Sequence, residues 1–172
     1  MNAVSAAAAR ITGEALTRLL ADPRVSRIDR DGKVLGTQAS PLSQIGADRV
    51  QALGFSGQGI TVAVLDSGTD PISNVDLDTS LDSEECFCSN GGGCCPDGSS
   101  RQSGPGSAAS VSSHGTGVIG IVTSDGFVAP GGVAPGSRVL AVRVLDDGLI
   151  GTYSDILEAL DWVVKTGRTC AW

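Results

Sequence analysis

Two residues of this 172-residue chain have the type and the position to move a proton, Asp66 and His114. His114 is the only histidine. It opens the stretch His-Gly-Thr-Gly, and an apolar run over residues 118–122 follows. Asp66 closes the run ITVAVLD, whose β-branched, largely apolar residues predict a strand buried on both faces of a parallel sheet. In open parallel sheets, reactive groups collect just beyond the carboxyl ends of the strands. A helix in this topology begins at the same rim, so the pattern brings an acid and an imidazole to one place. Asp66 would accept the Nδ1 proton and fix the tautomer, leaving Nε2 to face a nucleophile. The helix start opposes an imidazolium and the carboxylate favours it, a balance that suits a neutral base able to accept a proton. Gly115 and Gly117 remove side chains from the first turn and let it approach the sheet. One Asp–His pair is a poor transition-metal site, which usually wants three protein ligands. From the pattern alone a second reading stays open, in which Asp66 caps a turn and His114 bonds locally.

The elements that must position this pair can be read from periodicity. Residues 137–145, SRVLAVRVL, predict a second sheet strand. The clearest helix follows, with Tyr153, Ile156, Leu157, Leu160, Val163 and Val164 on one face. Thr152 caps it, Asp155 completes a capping box, and Gly167 ends it. Strand, helix, strand, helix is an α/β pattern. Upstream, residues 11–21 carry a helical stripe that ends at Asp22-Pro23. Val25 and Ile28, a turn at Asp31-Gly32, and Val34-Leu35 predict a short hairpin. A short helix is expected around residues 48–53. Residues 67–112 are rich in Ser, Asp, Gly and Pro and read as loop, with a Cys-rich insertion at about 78–111.

Composition narrows the function. Hydrophobic residues make up 41% and charged residues 18%, which is globular. A net charge of -7 disfavours nucleic acid as a partner, and no run of about 18 apolar residues predicts a membrane span. The strand-ending DSGTD lacks the G-x-G-x-x-G turn that cradles phosphates. The amino end has no signal-peptide core, so either the chain stays inside the cell or its true start is missing.

Four of the five cysteines, Cys86, Cys88, Cys94 and Cys95, crowd around a glycine-rich turn, and Cys170 stands apart. Neighbouring cysteines rarely bond each other without strain, so cross-pairing of Cys86 with Cys95 and Cys88 with Cys94 is the easier geometry. A four-thiolate zinc or iron–sulfur site is the competing reading, although the spacing lacks paired C-x-x-C ligands.

Three stretches, GQGITVAVLDSGTD, SSHGTGVIGIV and residues 131–164, together resemble the subtilisin-like serine proteases, the subtilase family (peptidase S8). The resemblance implies an α/β fold: a three-layer, mostly parallel sheet with helices on both faces, here incomplete. It implies a serine endopeptidase acting on polypeptides through an acyl-enzyme, with Asp66 and His114 as two members of its triad. Residues 145–153 resemble the segment that pairs with a bound peptide as an added strand. Residues 14–35 resemble the tail of an inhibitory propeptide. This divides the chain into an amino-terminal extension, 1–37, and a partial peptidase domain, 38–172, and makes its own propeptide a partner. No cofactor is required. Asp76, in SNVDL, resembles a family position where a carboxylate helps bind calcium, which makes calcium a candidate structural ion. Family habit and disulfides point to a secreted or periplasmic protein.

The sequence also departs from the family. Neither the nucleophile of a GTSMA-type motif nor the oxyanion-hole Asn is present. Ser107, in GPGSAAS, is the nearest imitation, but no strand precedes it. The expectation is a front part that hydrolyses nothing alone, with an open sheet edge and marginal stability. The alternative is an inactive remnant or peptide-binding module that keeps part of the cleft.

Overall fold

The two apolar runs on either side of the glycine-rich middle become adjacent strands. In the computed structural model, which describes residues 6–31, 33–35, 45–70, 76–77, 79–127 and 129–166, β2 (Thr61–Asp66) and β5 (Arg138–Arg143) pair in parallel from Thr61 opposite Arg138 to Asp66 opposite Arg143. Preceding β2 are α1 (Gly13–Leu20), β1 (Lys33–Leu35) and α2 (Ala47–Ala52). Between β2 and β5 lie β3 (Leu81–Phe87), β4 (Arg101–Ser103) and α3 (Ser113–Thr123). After β5 come β6 (Ile150–Thr152) and α4 (Tyr153–Lys165).

The main sheet has the order β2-β5-β3-β4, with β4 antiparallel at one edge. Side-chain alternation along the strands builds two cores on opposite faces. Val64, Val139 and Ala141 pack with Leu77, Ala108 and Ile119 of α3. Val142 packs with Phe87, Val144, Leu145 and Ala159 of α4. The result is three layers, helix on sheet on helix, with β5 buried from Val139 to Arg143. At the other edge, β2 pairs with β5 alone among the described residues.

Three sequence expectations are corrected. Residues 67–112 are largely turn and loop, but not without a sheet strand: β3 lies beside β5, from Leu81 opposite Val139 to Cys86 opposite Arg143. Its sequence, LDSEECF, shows no apolar alternation, yet Glu84 to Phe87 are buried. Glu84 Oε2 accepts a hydrogen bond from Gly106 N (2.7 Å), and Glu85 Oε1 accepts one from Ser103 Oγ (2.7 Å), so residues distant in sequence hold its acids, while Glu84 Oε1 has no partner among the described residues.

The hairpin over residues 25–35 does not form. Residues 25–31 take no regular structure, and β1 instead pairs antiparallel with β6, Lys33 opposite Thr152 and Leu35 opposite Ile150. The capping box is half-made. Thr152 Oγ1 accepts from Asp155 N (3.2 Å), but the Asp155 carboxylate turns to Ser89, accepting from its N and Oγ at 3.0 and 3.1 Å. The stripe on α1 buries nothing, and Leu20, Leu53 and Phe55 are exposed. Gly167 and Cys170 lie outside the described residues.

Candidate active site

Asp66 is the last residue of β2, and its main chain is clamped to the strand beyond β5. Val144 N and Leu145 N both donate to Asp66 O, at 2.8 and 3.1 Å. Its carboxylate therefore leaves the sheet at a fixed angle. Oδ1 accepts from Ser67 N (2.7 Å) and lies 2.7 Å from His114 Nδ1. A carboxylate only accepts, so Nδ1 carries the hydrogen, and in the neutral ring Nε2 is the acceptor nitrogen.

His114 sits in the first turn of α3. Ser112 caps that helix, its Oγ accepting from His114 N (3.4 Å), and Gly115 N donates to Ser67 Oγ (3.1 Å). Ser67 thus ties the acid and the helix start together. The sequence reading missed it, although it directly follows Asp66 and its hydroxyl was the available signal. Asp66 and His114 are both buried, which strengthens their hydrogen bond by excluding water.

Close approach is what makes this geometry. A Cβ on Gly115 would stand 2.0 Å from Gly68 O and 3.1 Å from Asp66 Oδ1. Gly68 has φ +92, and a Cβ there would meet Ala108 O at 2.1 Å. Gly117 carries no such constraint, since a Cβ there meets nothing within 4 Å, which corrects the expectation that both glycines serve the approach. We predict that Gly115→Ala separates the pair while the fold survives. The low-field proton resonance of a hydrogen-bonded Nδ1–H should be present in the parent protein and absent in the variant, with the circular dichroism unchanged. A variant that keeps the resonance would contradict this.

The rest of the rim is polar and braced. The buried guanidinium of Arg143, directly opposite Asp66, donates from Nη1 to Ala109 O (2.6 Å) and from Nη2 to Asp147 Oδ1 (3.1 Å). Ser110 Oγ also donates to Asp147 Oδ1 (3.0 Å). A cleft of about 520 Å³ opens here, lined by residues including Asp70, Pro96, Val111 and Asp147. Asp70 N donates to Thr116 Oγ1 (3.0 Å), so the cleft borders the first turn of α3. Asp146 of that lining leads into β6. Gly151 lets it pass close to the chain, since a Cβ there would stand 2.3 Å from Val144 O.

The other predicted residues fall elsewhere. Ser107 is wholly buried in the loop before α3, its N donating to Gly104 O (3.0 Å), where no substrate can meet its hydroxyl. Cys86 is bonded to Cys95 and Cys88 to Cys94, with Cα–Cα separations of 5.9 and 5.1 Å. With every sulfur of the cluster so bonded, the four-thiolate reading is corrected, because a metal needs free thiolates.

Asp76 is buried between β2 and the turn after α3. Phe127 N donates to its Oδ1 (2.9 Å), and Ser124 Oγ (3.1 Å) and Ala129 N (3.0 Å) donate to Oδ2. These donors present positive ends where a calcium ion would stand, and among the described residues no three His, Cys, Asp or Glu side chains converge. The residues at Asp76 do not fit calcium.

Comparison with known proteins places this arrangement in a family. Residues 57–169 match the subtilase family. Over 166 residues, covering 94% of this chain and 39% of the relative, the chain is 32% identical to subtilisin E of Bacillus subtilis. It is 30% identical over 167 residues, with the same coverages, to an alkaline protease of Alkalihalobacillus alcalophilus. Among solved structures, sphericase superposes with a TM-score of 0.52 at 30% identity, covering 66% of this chain and 35% of that one. The chain thus spans about two-fifths of the length of the curated relatives it matches.

Proposed function

The chain belongs to the subtilase family, and from that premise we propose that it supplies the base and its orienting acid to a serine endopeptidase that cuts polypeptides through an acyl-enzyme. The observation that carries this reading is the buried 2.7 Å hydrogen bond between His114 Nδ1 and Asp66 Oδ1. The serine hydroxyl gives its proton to His114 Nε2 as its oxygen attacks the scissile carbonyl. Asp66 keeps Nδ1–H in place and stabilises the imidazolium without taking the proton itself. His114 then passes that proton to the departing amine, and a water molecule repeats the sequence on the acyl-enzyme. Neither step uses a metal or cofactor.

The nucleophile and the oxyanion donor come from the remainder of the catalytic domain. Among the described residues β2 pairs with β5 alone, and a further strand joining the sheet on the other side of β2 would put that part next to Asp66. A bound peptide in this reading lies against β6 as an added strand. In this reading the amino-terminal extension is the inhibitory propeptide, since β1 already lies antiparallel along β6. Two disulfides suit an oxidising compartment, and so a secreted or periplasmic protein. No described helix is long and apolar enough to cross a membrane.

Steady-state hydrolysis of an unstructured polypeptide by the full-length protein tests the reading. Hydrolysis that disappears with His114→Ala supports it. A protein that binds the polypeptide without cutting it would instead be a peptide-binding module. We further predict that removing residues 1–37 after folding raises the rate, and that the same segment added back inhibits. An unchanged rate would contradict the role given to the extension.

A further inference from the structure

The disulfide-bonded turn is hydrogen-bonded to the chain on both sides of β6, at Asp146 before it and at Asp155 of α4 after it. Cys88 and Cys94 close the turn, helped by Cys94 N donating to Cys88 O (2.8 Å). Cys86 and Cys95 fix its base at the end of β3. Gly93 closes it tightly, because a Cβ there would stand 2.4 Å from Gly98 O. From this turn Asn90 Nδ2 donates to Asp146 Oδ2. The other oxygen of that carboxylate accepts from Gly148 N and Ile150 N, both at 2.9 Å. Asp146 N in turn donates to Ile150 O (2.9 Å), and Leu149 sits at φ +62 between them. One carboxylate therefore sets the bend that leads into β6, and the turn holds that carboxylate. The neighbouring Ser89 makes the second tie, donating from N and Oγ to the buried Asp155 in the first turn of α4. The two ties flank β6 in sequence.

We propose that Asn90 is a positioning residue for the peptide-binding strand, carried by the disulfide-bonded turn and acting through Asp146 on the backbone of residues 148–150. Its effect on catalysis rests on the endopeptidase reading above. Asn90 touches neither Asp66 nor His114, so losing it loosens peptide binding along β6 and leaves the proton path alone.

Amide hydrogen exchange and steady-state kinetics on the full-length protein, as parent, Asn90→Ala and Asn90→Asp, test this. Faster exchange is expected at Gly148 and Ile150, with Gly115 unchanged. The KM for a peptide long enough to lie along β6 should rise about tenfold, with kcat within about twofold and KM for a single-residue ester unaltered. Asn90→Asp keeps the shape but sets a second carboxylate against Asp146, so it should match or exceed Asn90→Ala. A packing role alone predicts that this near-isosteric change is silent. Unchanged exchange at Gly148 and Ile150, or an equal loss with both substrates, overturns the proposal. If the parent cuts neither substrate, the endopeptidase reading fails, and the exchange at these two amides alone decides whether the turn holds the segment.

Discussion

His114→Ala in the full-length protein is expected to lower kcat for peptide hydrolysis by on the order of 10⁶, with KM changed only a few-fold. The size follows from what the imidazole does. Without it the serine proton has no acceptor in the attack and the amine has no donor on departure, so both halves of the reaction slow together. Binding along β6 does not involve the ring, and KM is therefore spared. Asp66→Asn is expected to lose less, about 10⁴, because the ring remains but its tautomer is no longer fixed. An amide at position 66 can offer N–H where Oδ1 now accepts, which turns the imidazole toward the wrong protonated nitrogen. The comparison of the two variants under saturating substrate checks both values, and equal losses would argue against an orienting role for Asp66.

The largest stability effect is expected at Asp76, where Asp76→Ala should destabilise the protein by about 2 kcal/mol. Its carboxylate receives Phe127 N, Ala129 N and Ser124 Oγ. Ser124 is buried, and a buried donor left without an acceptor costs roughly 1–3 kcal/mol, whereas the exposed Phe127 and Ala129 can turn their amides to water at smaller cost. Thr79 Oγ1 donating to the Asp125 carboxylate (3.1 Å) is too exposed to replace it. Because these donors, rather than an ion, neutralise the carboxylate, calcium chelation should leave the melting temperature of the parent unchanged. Denaturant titration measures the first expectation and a thermal melt with and without chelator the second. A melting temperature that falls on chelation would restore calcium to this turn.

The parts of the site that were legible in the sequence are those built by continuous runs. SRVLAVRVL could be read as a strand because nearly every position is buried, and ITVAVLD because its run is apolar and β-branched, although only Val64 and Asp66 are buried and the rest of β2 is half-buried. The helix from Tyr153 to Lys165 could be read from its periodicity, but only Ile156 and Val163 of the predicted stripe pack on the sheet, together with Ala159 and Trp162, while Tyr153, Leu160 and Val164 are exposed. Asp66 and His114 followed from topology, as a strand end and a helix start on one rim. The strand β3 was not legible because its inward-facing acids depend on Gly106 and Ser103, partners that no local pattern announces. The partner of β1 was hidden for the same reason. The Asp31-Gly32 signal favours a local hairpin, whereas β6 lies at the far end of the chain. Asp155 shows the limit of capping rules, since its position fits a capping box but Ser89 offers two donors instead of one. Gly115 and Gly117 look alike in sequence, and only the approach of Gly68 O separates their roles.

The proposed hydrolysis depends most on His114 acting as the base for a serine. The rate at which a fluorophosphonate labels the full-length protein measures that directly, because the reagent reports the activated hydroxyl without requiring a particular peptide. The parent should be labelled at a single serine, and His114→Ala should be labelled at least about 10³ times more slowly. Labelling of His114→Ala at the rate of the parent would show that the hydroxyl is activated by some other group.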